Sequence, residues 1–144
     1  MPVTTTGNQV EVARALQSVL LLYQDELQVA GVIYGRTPTL IPEFPSITVE
    51  NSIESRGEGE THRWRIDFTV FINIIYGKLQ SGEVNQEEAE LLAQSVKNVL
   101  HLDKKLGGLV VFGYVTRIEP VILRSSEFLR SMRLTWIAQS REVF

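Results

Sequence analysis

The chain has 144 residues, 44% hydrophobic and 22% charged, the size and composition of one ordinary globular domain spanning 1–144. A net charge of −3 with a pI near 5.4 argues against broad binding to a phosphate backbone. The absence of cysteine excludes disulfides, thiolate zinc sites and cysteine nucleophiles, and leaves His62 and His101 as the two imidazoles.

Near the start, Met1-Pro-Val-Thr-Thr-Thr-Gly7 has neither a basic nor an apolar region, and no later apolar run approaches the ~20 residues that span a bilayer. Neither secretion nor membrane insertion is expected. Charge is uneven along the chain, at −5 over 1–110 and +2 over 111–144. Such asymmetry fits scattered solvated charges first, and alternatively copies of one protein meeting head to tail with complementary potentials.

Asn8 and Glu11 have capping-box spacing and start a helix at about residue 9. Val12, Leu16, Val19, Leu20, Tyr23 and Leu27 recur at threes and fours, an apolar stripe that ends before Gly31. Leu21 and Leu22 extend the apolar surface further around the helix than one buried stripe requires, so something else is expected to cover that flank. Three prolines between Tyr34 and Pro45 predict a loop. Ile47, Val49 and Ile53 alternate with polar residues through 46–54, a strand with one wet face, and Arg56-Gly-Glu-Gly-Glu60 is read as a turn.

The strand from Thr61 to Tyr76 is the most distinctive segment. Trp64, Ile66, Phe68, Val70, Ile72, Ile74 and Tyr76 share one face, opposite Arg63, Arg65, Asp67 and Thr69. At ~3.3 Å per residue it would run about 53 Å, longer than a compact domain of this size, which is about 37 Å across. It must curl, bulge or project. Phe71 and Ile75 make its wet face apolar midway, so the later half is expected to be covered on both sides, by a neighbouring subunit or by helix packing.

Gly77 to Gly82 breaks the strand, and Asn85 with Glu88 repeats the capping spacing. The second helix carries Ala89, Leu92, Val96, Val99 and Leu100 on its stripe. Leu106-Gly-Gly-Leu109 predicts a tight turn before a strand at about 110–118, which Pro120 interrupts or places at an edge. A last strand spans about 127–140, with Phe128, Met132, Leu134, Trp136 and Ala138 on one face. The fold class expected is α+β in the order α-β-β-α-β-β: a largely antiparallel four-stranded sheet, two helices on one face and a long projecting hairpin.

No nucleophile, base and orienting partner are spaced for catalysis. His62, beside Glu58 and Glu60, reads as a solvated side chain near a hairpin tip. His101 ends the second helix, where the dipole favours a cation. Glu87, Glu88 and Glu90 suit the positive start of that helix rather than a metal. Gly57-Glu-Gly59 and Gly107-Gly108 read as turns, not phosphate loops. Arg117, Arg124, Arg130, Arg133 and Arg141 are interleaved with Glu119, Glu127 and Glu142, the pattern of cross-strand ion pairs rather than a nucleic-acid track. No cofactor is expected.

The N-terminal helix, the long hairpin ending in Trp64 to Tyr76, the Asn85-started helix, and the Leu106-Gly-Gly-Leu109 and Val115-Thr-Arg-Ile-Glu-Pro120 passages together resemble the tail terminator proteins of long-tailed bacteriophages and their neck and tail-completion relatives. The resemblance implies a non-enzymatic virion protein that forms a ring, commonly of six copies, at the head-proximal end of the tail. That ring would end tail tube polymerisation and offer the surface for head–tail joining. The partners implied are further copies of the chain, the tail tube protein and, if the tail is contractile, the sheath protein, and a head-completion or connector protein, with DNA only passing through the lumen. The location implied is the virion, and the host cytoplasm during assembly. Ring closure needs two different complementary patches per subunit, for which Leu21 and Leu22 on the helix and Phe71 and Ile75 on the long strand are the candidates. A neck or connector role fits the same fold. An enzyme or small-ligand binder is the remaining alternative and would need a deep polar pocket holding His62 or His101.

Overall fold

The computed structural model describes residues 9–35, 43–50, 53–58, 63–78, 86–124 and 128–143. Helices α1 (Gln9–Leu22) and α2 (Gln24–Leu27) lead into β1 (Val32–Tyr34), β2 (Ser46–Val49), β3 (Ile53–Glu58) and β4 (Arg63–Lys78). Helix α3 (Gln86–Leu100) and a single 3-10 turn at Leu106–Gly108 then precede β5 (Phe112–Arg124) and β6 (Phe128–Val143). The fold is α+β, with both long helices over one face of the sheet.

Among the described residues the sheet has six strands where four are expected from the pattern. Its order is β1-β2-β4-β6-β5, with β3 also paired to β4. Segment 46–54 divides into two strands that follow each other along one edge of β4, with Val49 opposite Ile72 and Ile53 opposite Thr69. Arg56, Gly57 and Glu58 belong to β3 rather than to a turn. The added β1 is three residues long and joins β2 in parallel, the one parallel pair of an otherwise antiparallel sheet.

The length of β4 does not leave it projecting as a hairpin. Strand β6 matches it along its whole run, from Arg63 opposite Val143 to Lys78 opposite Leu129, and a bulge between Ile75 and Gly77 carries the strand past the glycine expected to end it. Likewise β5 continues through Pro120 to Arg124 as an outer strand of the sheet, where a residue without an N–H is tolerated.

Val12, Leu16 and Leu20 of α1 and Ala89, Ala93, Val96 and Leu100 of α3 are buried against Ile66, Phe68, Val70, Ile72 and Ile74 of β4 and Met132, Leu134, Trp136 and Ala138 of β6. The small side chains of Ala89 and Ala93 let α3 lie close over the sheet. The first helix stops at Leu22 and, after Tyr23, resumes as α2; its stop is Gln28 at φ 57°, not Gly31. Gln17 Nε2 donates to the Val32 carbonyl at 3.2 Å and ties α1 to β1. In the Leu106–Gly108 turn, Gly107 and Gly108 take positive φ, as the glycine pair predicts, and the Asp103 carboxylate accepts the Gly107 N–H at 2.8 Å.

Candidate functional site

Among the described residues, Asn73, Glu50, Arg133 and His101 are committed to structure. Asn73, fully buried on the face away from the helices, donates through Nδ2 to Thr48 Oγ1 at 3.3 Å and to Glu50 Oε2 at 2.8 Å, and its Oδ1 accepts from Arg133 Nε at 2.9 Å. Arg133 closes the network on Glu50 at 3.0 Å and lies 4.6 Å over the Phe71 ring. The ion pair of Arg133 is therefore with Glu50 on the far side of β4, not with a glutamate of its own hairpin. Arg117 meets Glu119 at 3.7 Å within one strand, and Arg124 lies over the Phe128 ring at 6.0 Å.

His101 is not the helix-end cation that its position suggests. Its Nε2 accepts the Val115 N–H at 3.0 Å, beside the bulge between Val115 and Arg117. Burial, then the ammonium groups of Lys104 and Lys97, lower its pKa from the usual 6.5. A neutral imidazole accepts this bond; an imidazolium does not. Because the unfolded state binds the proton more readily, stability is complete above the unfolded pKa of about 6.5 and declines as pH falls below it. His101→Ala is expected to cost about 1 kcal/mol at pH 7.5 and to flatten the loss of stability between pH 6.5 and 5, as read by urea denaturation across pH. An unchanged slope would remove His101 from this role.

No group of three or more His, Asp or Glu residues able to hold a metal occurs among the described residues. Glu87, Glu88 and Glu90 are exposed on α3, with Gln86 donating to Glu90 at 3.4 Å. His62 lies outside the described residues, as do Asn8, Asn85 and Glu127. No described helix is long and apolar enough to cross a membrane.

The candidate contact residues fall into different situations. Leu22 is 82% exposed and Leu21 44%, so the α1 flank is uncovered by its own chain. Phe71 is half-buried beneath Arg133. Ile75 is fully buried, in a second small cluster with Leu123 and Leu129 against which Phe44 and Val121 pack. Its cover comes from the chain itself, because β5 runs on past Pro120 and brings Val121 and Leu123 to this end of the sheet, beside Leu129 of β6. Ile75 is thus withdrawn as a contact for a neighbour.

Two open surfaces were not anticipated from the sequence. On the helix side, a groove of about 530 Å³ runs between α3 and β5, lined by Glu87, Glu90, Leu91, Ile118, Pro120 and Met132. On the opposite side, Ile53, Phe112 and Tyr114 are exposed on the bare face of the sheet. The alternation of Phe112 with Tyr114 is the local signal for the second, but the bulge at Thr116 reverses which residues share a face and hides the grouping.

The fold is similar to that of a chain in a solved virion. A chain of the virion of a native gene transfer agent particle superposes with a TM-score of 0.58 at 13% sequence identity, over 91% of this chain and 95% of that chain. At that identity the likeness is one of fold. No protein-family model matches the sequence, and no curated protein matches it.

Proposed function

We propose that the protein is a non-enzymatic structural component of a tailed-phage-type particle: a ring-forming subunit, six copies to the ring, at the head-proximal end of the tail. There it ends tail tube polymerisation and provides the surface for head–tail joining. The observation that carries the reading is the end-to-end fold likeness to a chain of a gene transfer agent virion, with almost no part of either chain left over. The partners are further copies of itself, the tail tube protein and, if the tail is contractile, the sheath protein, and a head-completion or connector protein, with DNA passing through the lumen. Its place is the virion, after assembly in the host cytoplasm. The absence of an enzymatic role is supported by His101, whose Nε2 is occupied by a backbone N–H, and by a polar network that is internally satisfied around Asn73.

Electron microscopy of particles assembled without the protein tests this reading. Overlong tails lacking heads are the expected outcome. Tails of normal length that fail to join heads would instead assign the neck or connector role, and normal, joined tails would sink both.

A further inference from the structure

We infer that the bare face of the sheet in one copy seats the exposed α1 ridge of the next, a head-to-tail contact; the inference rests on the ring reading for the identity of the second partner. Cross-strand register places Ile53, Thr69, Ile137 and Tyr114 in one row across β3, β4, β6 and β5. Phe112 extends the apolar surface on one side of this row and Phe71 on the other, in the rows Ser55, Asp67, Gln139, Phe112 and Phe71, Thr135, Arg117.

Ile53 is 56% exposed, Phe112 46% and Tyr114 37%, with the two aromatic rings 5.1 Å apart. Four strands by three rows measure roughly 20 by 20 Å, enough for the apolar centre of an interface, though only about half of what one partner usually buries. The hollow beside Phe112, Tyr114, Ile137 and Gln139 holds about 260 Å³, below the usual ~300–1,000 Å³ of a small-molecule site, and suits inserted side chains.

Faces, not edges, are what the subunit offers. Strand β5 carries a bulge and Pro120 and β1 is three residues long, features that blunt strand addition. The occupant is set by charge. Leu21 and Leu22 are followed by exposed Asp25 and Glu26, an apolar ridge with an acidic end. At the rim of the bare face the Lys104 ammonium sits 5.5 Å over the Phe112 ring, while Arg117 is paired with Glu119 at 3.7 Å and Asp67 already interacts within its own chain, which leaves Lys104 to meet the acidic end. The alternative receptor, the groove beside α3, is edged by Glu87 and Glu90 and would repel the same ridge. Because α1 lies over one face of the sheet and the receptor is the other face, the contact is heterologous and repeats from copy to copy until a ring closes.

The chain has no cysteine, so introduced thiols report only on the chosen positions. Leu22→Cys and Tyr114→Cys variants, each shown to be folded by circular dichroism, would be mixed in concentrated solution and treated with a short bis-maleimide. Covalent dimers appearing in the mixture and in neither variant alone are expected, and the double variant should give a ladder of multimers. Dimers from either variant alone, or no mixed dimer, would overturn the inference. Rings seen by light scattering without the mixed dimer sink this contact and leave the ring reading standing. Mixed dimers from a protein whose loss leaves tails normal would sink the ring reading and leave the contact.

Discussion

Replacing Trp136 by alanine is expected to lower the free energy of unfolding by about 3–5 kcal/mol, a large part of the ~5–15 kcal/mol that holds such a domain together. Trp136 is the largest fully buried side chain among the described residues, at the centre of β6 beneath the helices. Its ring occupies the space that a side chain on the neighbouring strand would need: a Cβ added at Gly113 would lie 2.3 Å from Trp136 Cζ2 and 3.1 Å from Ala138 Cβ. Gly113→Ala therefore overpacks the same site and should cost about 1–3 kcal/mol by itself. The two changes are coupled, since the added methyl group partly fills what a smaller residue at 136 leaves empty. Gly113→Ala combined with Trp136→Leu should be more stable than the sum of the single losses predicts, and simple additivity in urea denaturation would show that the contact is not made. The indole N–H has no hydrogen-bond partner among the described residues, so Trp136→Phe should lose markedly less than Trp136→Ala.

Arg133→Met is expected to cost about 2–3 kcal/mol. The change takes from Asn73 Oδ1 its donor and from Glu50 its counter-charge, and a buried polar atom left without a partner costs about 1–3 kcal/mol. Arg133 and Glu50 keep 22% and 31% of their side-chain surface in solvent, so the loss falls short of the ~3–5 kcal/mol of a fully buried pair. Arg133→Lys should recover little, because one ammonium cannot reproduce the two directed N–H bonds and the planar stacking on Phe71. Adding Asn73→Leu to Arg133→Met should lower stability further, because the Nδ2 bonds to Thr48 Oγ1 and Glu50 Oε2 are lost with it and Glu50 is left without either donor. Equal melting temperatures for Arg133→Lys and the wild type would show that charge alone matters there.

The same residues show why fold and site were unequally legible. Helix α1, the apolar stripes of both long helices, the alternation of β4, the glycine turn at 107–108 and the edge position of Pro120 each depend on residues within a few positions of one another. Period, capping spacing and ring or glycine geometry are local properties. Resemblance to phage tail proteins drew on that same order of local elements.

What the tertiary structure decided lies at long sequence separation. The β1 strand is too short to show a period and exists through its pairing with β2. Ile75 alternates as a free apolar residue would, yet Leu123 and Leu129 cover it from some fifty residues away. Arg133 chose Glu50, 83 residues distant, over nearer glutamates, and His101 became an acceptor because β5 delivered the Val115 N–H to it. The apolar row on the bare face comes from four different strands, aligned by register and by one bulge. Each strand by itself determined which of its residues alternate, through steric and hydrophobic period; only the folded sheet decided which of those faces meet, because strand pairing joins backbone groups that are alike at every residue and carry no identity of their own.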